Sequence, residues 1–136
     1  MKQNKKKNKK PFVQKKVNSA IRIKDWFYMN DKRITVTDID ECMQDADNVN
    51  IEIWKDAGIA ELALEDGHSI DMEMGEAQFS DEYSDAYLKE HGIQTLFYVT
   101  IAPDFYANAE PVMKELVRRL GGFFCADTDD FKPVVK

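Results

Sequence analysis

Acidic side chains recur at alternate positions along three neighbouring stretches of the chain. Asp71 and Glu73 stand two residues apart, and Glu52 and Glu61 occupy comparable positions in the two preceding stretches. Residues two apart on a strand point to the same face of a sheet, so these four carboxylates are expected to share one face. Converging carboxylates are what a metal-dependent hydrolase requires. The same pattern is typical of a solvated sheet face, and we favour that interpretation, which predicts no catalytic or metal-binding residue.

The other residues that could carry chemistry are scattered singly through the sequence. A zinc site needs clustered cysteines and histidines, whereas Cys42, His68, His91 and Cys125 lie far apart. Cys125 lies in an apolar stretch, where burial raises the pKa of a thiol and makes it unreactive. Neither a glycine-rich phosphate loop nor the serine elbow of a hydrolase occurs. We therefore predict no cofactor and favour binding over catalysis, with an enzyme that uses metal-bound carboxylates as an alternative.

Two adjacent aromatic residues form a further candidate binding feature. Phe105 and Tyr106 follow Pro103 and Asp104, between a predicted strand and a predicted helix. Such residues either cap the hydrophobic core or anchor a basic, apolar partner.

Charge is divided unevenly along the chain. The 136 residues carry a formal net charge of −6, yet residues 1–24 contain ten Lys or Arg and no acid. Residues 25–136 hold nine basic and 25 acidic side chains, a net charge of −16. Ten of those acids fall within residues 61–90, beside a single base. Such a body attracts cationic partners and repels nucleic acids and anionic membranes.

Residues 1–18 read as a lysine-rich tail. The segment has too few apolar residues to offset the entropy of ordering, so we predict that it is disordered in isolation. It either increases solubility or tethers the chain to nucleic acid or the ribosome. The lysines available for such a contact are Lys5, Lys6, Lys7, Lys9 and Lys10.

The clearest structural signal is a run of three alternating segments, which predicts an antiparallel meander. Asp66 and Gly67, between the last two segments, are typical of a two-residue type I′ turn. The acidic residues at alternate positions are then expected to face outward. The inward sets are Val49, Ile51 and Ile53, then Ala60, Leu62 and Leu64, then Ile70, Met72 and Met74.

The elements outside the meander complete a β-β-α-β-β-β-α-β-α-β order. Thr37 or Asp38 is expected to cap the first helix, and residues 82–91 and 109–120 to form the others, with Pro111 in a first turn. The apolar residues of 94–101 predict a central strand covered on both faces. The remaining strands are predicted at residues 19–29, 33–36 and 122–127.

This order predicts an α+β fold. We expect residues 19–136 to form a single acidic domain in which two or three helices cover a mixed, mostly antiparallel sheet. The C-terminal β-α-β unit is the source of the expected parallel pairing. Strand order beyond the meander does not follow from the sequence.

Size and charge together favour a small acidic protein-binding module that acts on a basic partner. Small acidic domains of this kind include inhibitors of nucleases and bacterial immunity proteins, and only charge and size suggest that comparison. The longest apolar runs are too short to span a bilayer, so we expect no membrane partner and a cytoplasmic location. The oligomeric state cannot be read from the sequence.

Overall fold

The computed structural model describes residues 21–136. The lysine-rich tail at residues 1–18, including its five candidate nucleic-acid-binding lysines, lies outside the described residues and stays a prediction. Over the described part of the chain, none of the helices combines the length and the apolar character that crossing a bilayer requires.

Within residues 21–136 the structure contains three α-helices, two of which begin at side-chain caps. Thr35 accepts a hydrogen bond from the backbone N–H of Asp38, whose carboxylate accepts one from the backbone N–H of Thr35. This reciprocal capping box starts the first helix ahead of the expected caps, Thr37 and Asp38. Asp81 caps the second helix, accepting from the backbone N–H of Ser84 at 2.9 Å. The helices are α1 (Val36–Met43), α2 (Glu82–Glu90) and α3 (Tyr106–Leu120).

A seven-stranded sheet accounts for the strands of the described residues. In chain order they are β1 (Asp25–Asn30), β2 (Val49–Trp54), β3 (Ile59–Leu64), β4 (Ser69–Gly75), β5 (Thr95–Ile101), β6 (Phe123–Ala126) and β7 (Val134–Val135). Their spatial order is β2-β3-β4-β5-β1-β6-β7. The predicted α+β class and the β2-β3-β4 meander are therefore confirmed.

The expectation of a mixed sheet is wrong, because all six strand pairings within residues 21–136 are antiparallel. The C-terminal β5-α3-β6 unit does place two parallel strands in one sheet. However, β1 lies between them and pairs antiparallel with both. Insertion of β1 splits the β-α-β unit and removes its parallel ladder.

Three local expectations are also wrong. Residues 33–35 are irregular and Val36 begins α1, because Thr35 caps a helix where a strand was expected. The link between β3 and β4 is longer than a two-residue turn, since Gly67 donates to Leu64 and Leu64 pairs with His68 around a three-residue loop. Pro111 lies inside α3, which starts at Tyr106, upstream of the expected first turn.

The two faces of the sheet are covered unequally. On one face, α1 and α3 pack over a large core that includes Trp26, Tyr28, Phe97 and Phe124. On the other face, a smaller core around Phe27 is closed by α2 and by aromatic residues from neighbouring loops. This second layer lies over the β5-β1-β6 half of the sheet, so β2, β3 and β4 keep one face free of any described helix.

A buried polar network joins β1 to the end of α3. The Asn30 side chain, fully buried, donates to the Tyr28 hydroxyl at 2.8 Å and to the Leu120 carbonyl at 3.2 Å. Tyr28 in turn donates to the Gly121 carbonyl at 2.7 Å. These bonds satisfy helix-end carbonyls that would otherwise be buried without partners, and so fix α3 on the sheet.

Candidate functional site

Three of the predicted carboxylates form one straight row across the sheet. Glu52 on β2 lies directly opposite Glu61 on β3, and Glu61 lies opposite Asp71 on β4. Directly opposed residues of an antiparallel pair have Cβ atoms about 5 Å apart. The row continues through Thr100 on β5 to Asp25 on β1. Strand register thus brings together three acids that are distant in sequence.

Glu73 lies in the next row, among apolar and aromatic residues. Its cross-strand partners are Ile59 on one side and Tyr98 on the other, and Trp54 lies beyond Ile59. Trp54 and Tyr98 are each 47% exposed, although aromatic residues are usually buried. Tyr98 leans over Gly75, since a Cβ on that glycine would meet its ring. Two exposed aromatics therefore flank the carboxylates.

We call this surface the open sheet face. It is the uncovered part of β2, β3, β4 and β5, on the side opposite α1 and α3. Its defining residues are Glu52, Trp54, Glu61, Asp71, Glu73 and Tyr98.

No carboxylate of the open sheet face forms an ion pair within residues 21–136. None of the seven ion pairs of this part of the chain involves Glu52, Glu61, Asp71 or Glu73. The hydroxyl of Ser69 donates to Asp71 at 2.8 Å, which leaves the negative charge in place. Like charges opposed across strands destabilise a sheet. The row thus carries a repulsion that a cationic ligand would relieve.

A second pair of acids extends the row at its β1 end. The backbone N–H of Asp127 donates to the Asp25 carbonyl at 3.0 Å, which places the two residues side by side. Desolvation, followed by the charge of Asp25, raises the pKa of the Asp127 carboxyl. A raised pKa is what a carboxylate shows when it lacks a compensating cation. The negative row therefore reaches across five strands and into the loop after β6.

The two aromatics predicted as an anchor are placed differently from each other. Tyr106, the first residue of α3, is 5% exposed and stacks on Trp26 with ring centroids 5.3 Å apart. Burial also raises its pKa. Phe105 is 36% exposed and stacks on His68 at 3.5 Å. Tyr106 thus belongs to the core, and Phe105 covers the end of the β3-β4 hairpin.

An aspartate–histidine pair occurs at that hairpin. His68 Nδ1 lies 3.4 Å from Asp66 Oδ1, beside a cleft of about 690 Å³ between α3 and the ends of β2 and β3. Asp66 accepts hydrogen bonds from the Asn108 side chain at 2.6 Å and from the His68 backbone at 2.8 Å, and these bonds lower its pKa. With its oxygens engaged, Asp66 fastens the hairpin to α3.

The cysteines and the possible metal ligands are dispersed. Cys42 and Cys125 are unpaired thiols, and burial raises the pKa of Cys125 to about 12. Nowhere in residues 21–136 do three His, Cys, Asp or Glu side chains lie close enough to share a metal ion.

Sequence reasoning missed the aromatic part of this surface. The sequence predicts that Tyr98 lies in a strand covered on both faces, whereas the ring is 47% exposed. Because β5 is nearly all apolar, its sequence predicts burial on both faces. In the structure the second covering layer ends at β5, so Tyr98 and Thr100 are exposed. In the sequence, the polar residue Thr100, two positions from Tyr98 and on the same face of β5, is the signal that this face is exposed.

Comparisons with protein-family models, with curated proteins and with solved structures find no significant match for this chain.

Proposed function

We propose that this domain binds a basic protein across its open sheet face. One observation carries the proposal: a row of carboxylates without compensating cations, bordered by two exposed aromatics. The carboxylates supply charge complementarity, and Trp54 and Tyr98 supply large rigid contacts of the kind found at the centres of interfaces. The expected partner surface carries lysines or arginines interspersed with apolar side chains.

Long-range charge supports the same partner. Residues 25–136 have a net charge of −16, so a cationic protein would be steered towards the domain before contact. Inhibition of a basic target protein, as by nuclease inhibitors and bacterial immunity proteins, is the specific form of this proposal that size and charge suggest. We propose that the encounter takes place in the cytoplasm, where two unpaired thiols are stable.

The two alternatives have different support. Nucleic-acid or ribosome binding rests on the lysines of residues 1–18, outside the described residues. A metal-dependent reaction would use the carboxylates of the open sheet face, which lie in a row across the strands instead of around a common point. We therefore favour the protein-binding proposal.

The test uses a synthetic peptide that alternates arginine and leucine, titrated into the full-length protein by calorimetry. The double variant Glu61→Gln/Asp71→Asn removes two neighbouring charges of the row while preserving side-chain shape. Exposed charge contacts are each worth a fraction of a kcal/mol, so we expect affinity to fall roughly three- to tenfold at low salt. Wild-type affinity should also fall steeply between about 50 mM and about 500 mM salt.

The matched control is Asp40→Asn/Glu41→Gln, which changes net charge equally on α1, behind the sheet. It should reduce affinity much less than the double variant on the open sheet face. Equal losses in the two variants would show that overall charge, and no particular face, determines binding. Affinity that persists at high salt would contradict the proposal outright.

A further inference from the structure

A cleft lined by aromatic and acidic residues lies beside the open sheet face. Its volume is about 500 Å³, and it is bounded by β1, the start of α2 and the loop after β6. The residues that matter for its chemistry are Phe27, Phe79, Tyr83, Phe131, Asp127 and Asp129.

Three phenyl rings form one continuous wall of the cleft. Phe27 and Phe79 meet edge to face with centroids 5.3 Å apart, and Phe131 lies 5.9 Å from Phe79 and 6.1 Å from Phe27. Tyr83 adds a fourth ring from the first turn of α2 and is 61% exposed. Phe27 and Phe131 are only 4% and 3% exposed, so the accessible part of this wall is the ring of Tyr83 with part of Phe79. Aromatic faces carry negative electrostatic potential, so this accessible part attracts cations.

The exposed carboxylates of Asp127 and Asp129 also line the cleft. Neither Asp127 nor Asp129 forms an ion pair or a side-chain hydrogen bond with any residue of the described part of the chain. Asp81 also lines the cleft, but its carboxylate already accepts a hydrogen bond from the Ser84 backbone as the cap of α2. Desolvation and the neighbouring charge of Asp25 raise the pKa of Asp127, in keeping with a carboxylate that lacks a cation. The cleft thus combines a cation-attracting wall with two unpaired acids.

The geometry points to the side chain of an arginine as the group that this cleft binds. A guanidinium is planar, so it can stack on the aromatic wall while its N–H groups donate to carboxylates at the mouth. Lysine presents a compact, strongly hydrated ammonium that fits a flat aromatic wall less well.

The cleft is continuous with the open sheet face. Phe27 contacts Tyr98 with ring centroids 5.8 Å apart, and Asp25 and Asp127 continue the carboxylate row. This inference rests on the proposed function, which supplies the basic partner, and it assigns one arginine of that partner to the cleft. The same partner could then contact both surfaces at once.

The experiment titrates N-acetyl-arginine amide into the isotope-labelled full-length protein and follows backbone amide signals by NMR. N-acetyl-citrulline amide has nearly the same shape as the arginine compound but no charge. N-acetyl-lysine amide has the positive charge but no planar guanidinium group. We expect saturable shifts at Phe27, Tyr83, Thr128 and Phe131 with arginine, binding several-fold weaker with lysine, and no saturation with citrulline.

Two variants test the cleft, each with a matched control outside it. Asp127→Asn and Tyr83→Ala should weaken arginine binding roughly two- to fivefold, the effect of one exposed cation–π or charge contact. Asp40→Asn on α1 and Phe105→Ala before α3 remove the same kinds of group outside both the cleft and the open sheet face, and should leave arginine binding unchanged. Equal binding of citrulline, or shifts that lie away from the cleft, would overturn the inference.

This result separates the inference from the proposed function. If arginine amide does not bind but the arginine–leucine peptide still binds through Glu61 and Asp71, the cleft assignment is wrong and the proposed function stands. If arginine amide binds while the peptide shows neither salt dependence nor sensitivity to Glu61→Gln/Asp71→Asn, the proposed function is wrong and the cleft remains an arginine site.

Discussion

Glu61 is the residue on which repulsion within the carboxylate row converges. Glu52 and Asp71 lie directly opposite it on the two neighbouring strands, and none of the three forms an ion pair within residues 21–136. A surface tuned for stability alone would place an opposite charge at the centre of such a row. We propose instead that a cationic partner relieves this repulsion.

Neutralising Glu61 should therefore stabilise the unbound protein. We predict that Glu61→Gln raises the free energy of unfolding by about 0.5 kcal/mol, because two unfavourable cross-strand contacts are removed. Urea denaturation followed by circular dichroism measures this change. The gain should shrink in about 1 M salt, where charges are screened beyond about 3 Å.

Glu41→Gln on α1 is the control for that measurement, since Glu41 is exposed and lies away from the row. Its effect should be close to zero. A loss of stability in Glu61→Gln would mean that Glu61 makes a favourable contact, and the repulsion argument would not hold.

Residue alternation was enough to predict which acids share a face, because side-chain direction in a strand depends only on local geometry. It could not predict that Tyr106 is buried while Tyr98 is exposed. Those outcomes depend on where the covering helices end, and that is decided by contacts between residues such as Trp26 and Tyr106, 80 positions apart. The aromatic cleft was missed for the same reason.

At the scale of elements, one arginine ties α3 to α1. Arg119 donates to Glu115 within α3, to the Cys42 carbonyl at 2.8 Å and to Asp45 beyond the end of α1. Hydrogen bonds from Arg118 and Arg119 lower the pKa of Glu115 to about 2. The junction holds the two helices against the back of the sheet and so supports the register of the acidic row.

This junction predicts a specific dependence of stability on pH. A carboxylate whose pKa is lower in the folded state stabilises the fold above its ordinary pKa of 4.5 and loses that contribution as the pH falls towards 2. We predict that Glu115→Gln lowers the melting temperature at pH 7, and that the difference from wild type disappears near pH 2.

Calorimetric melting of both proteins across that pH range checks the prediction. Glu41→Gln again serves as the control and should follow wild type throughout. If the difference in melting temperature between Glu115→Gln and wild type stays constant with pH, packing of the side chain, and not its charge, causes the effect.

The elements themselves were largely predictable, whereas their arrangement was not. Local signals such as the Asp81 cap and the alternation in β2, β3 and β4 depend on neighbouring residues alone. The position of β1 between β5 and β6 depends on pairings between residues 65 to 100 positions apart, which sequence periodicity does not reveal. That one insertion makes the sheet wholly antiparallel.

At the scale of the whole molecule, the carboxylate row lies on the side of the sheet that α1 and α3 leave uncovered. Helices α1 and α3 occupy the opposite side, where arginines such as Arg118 and Arg119 are paired with acids. We propose that the open sheet face and the adjoining aromatic cleft together form the surface that a cationic partner contacts.

The central claim is that a basic partner contacts the open sheet face. Backbone amide shifts of the labelled full-length protein, recorded by NMR while the arginine–leucine peptide is added, test it most directly. The account predicts shifts concentrated on β2, β3, β4 and β5, centred on Glu61 and Asp71, which disappear in high salt. Shifts concentrated on α1 and α3, or spread evenly over the domain, would contradict it.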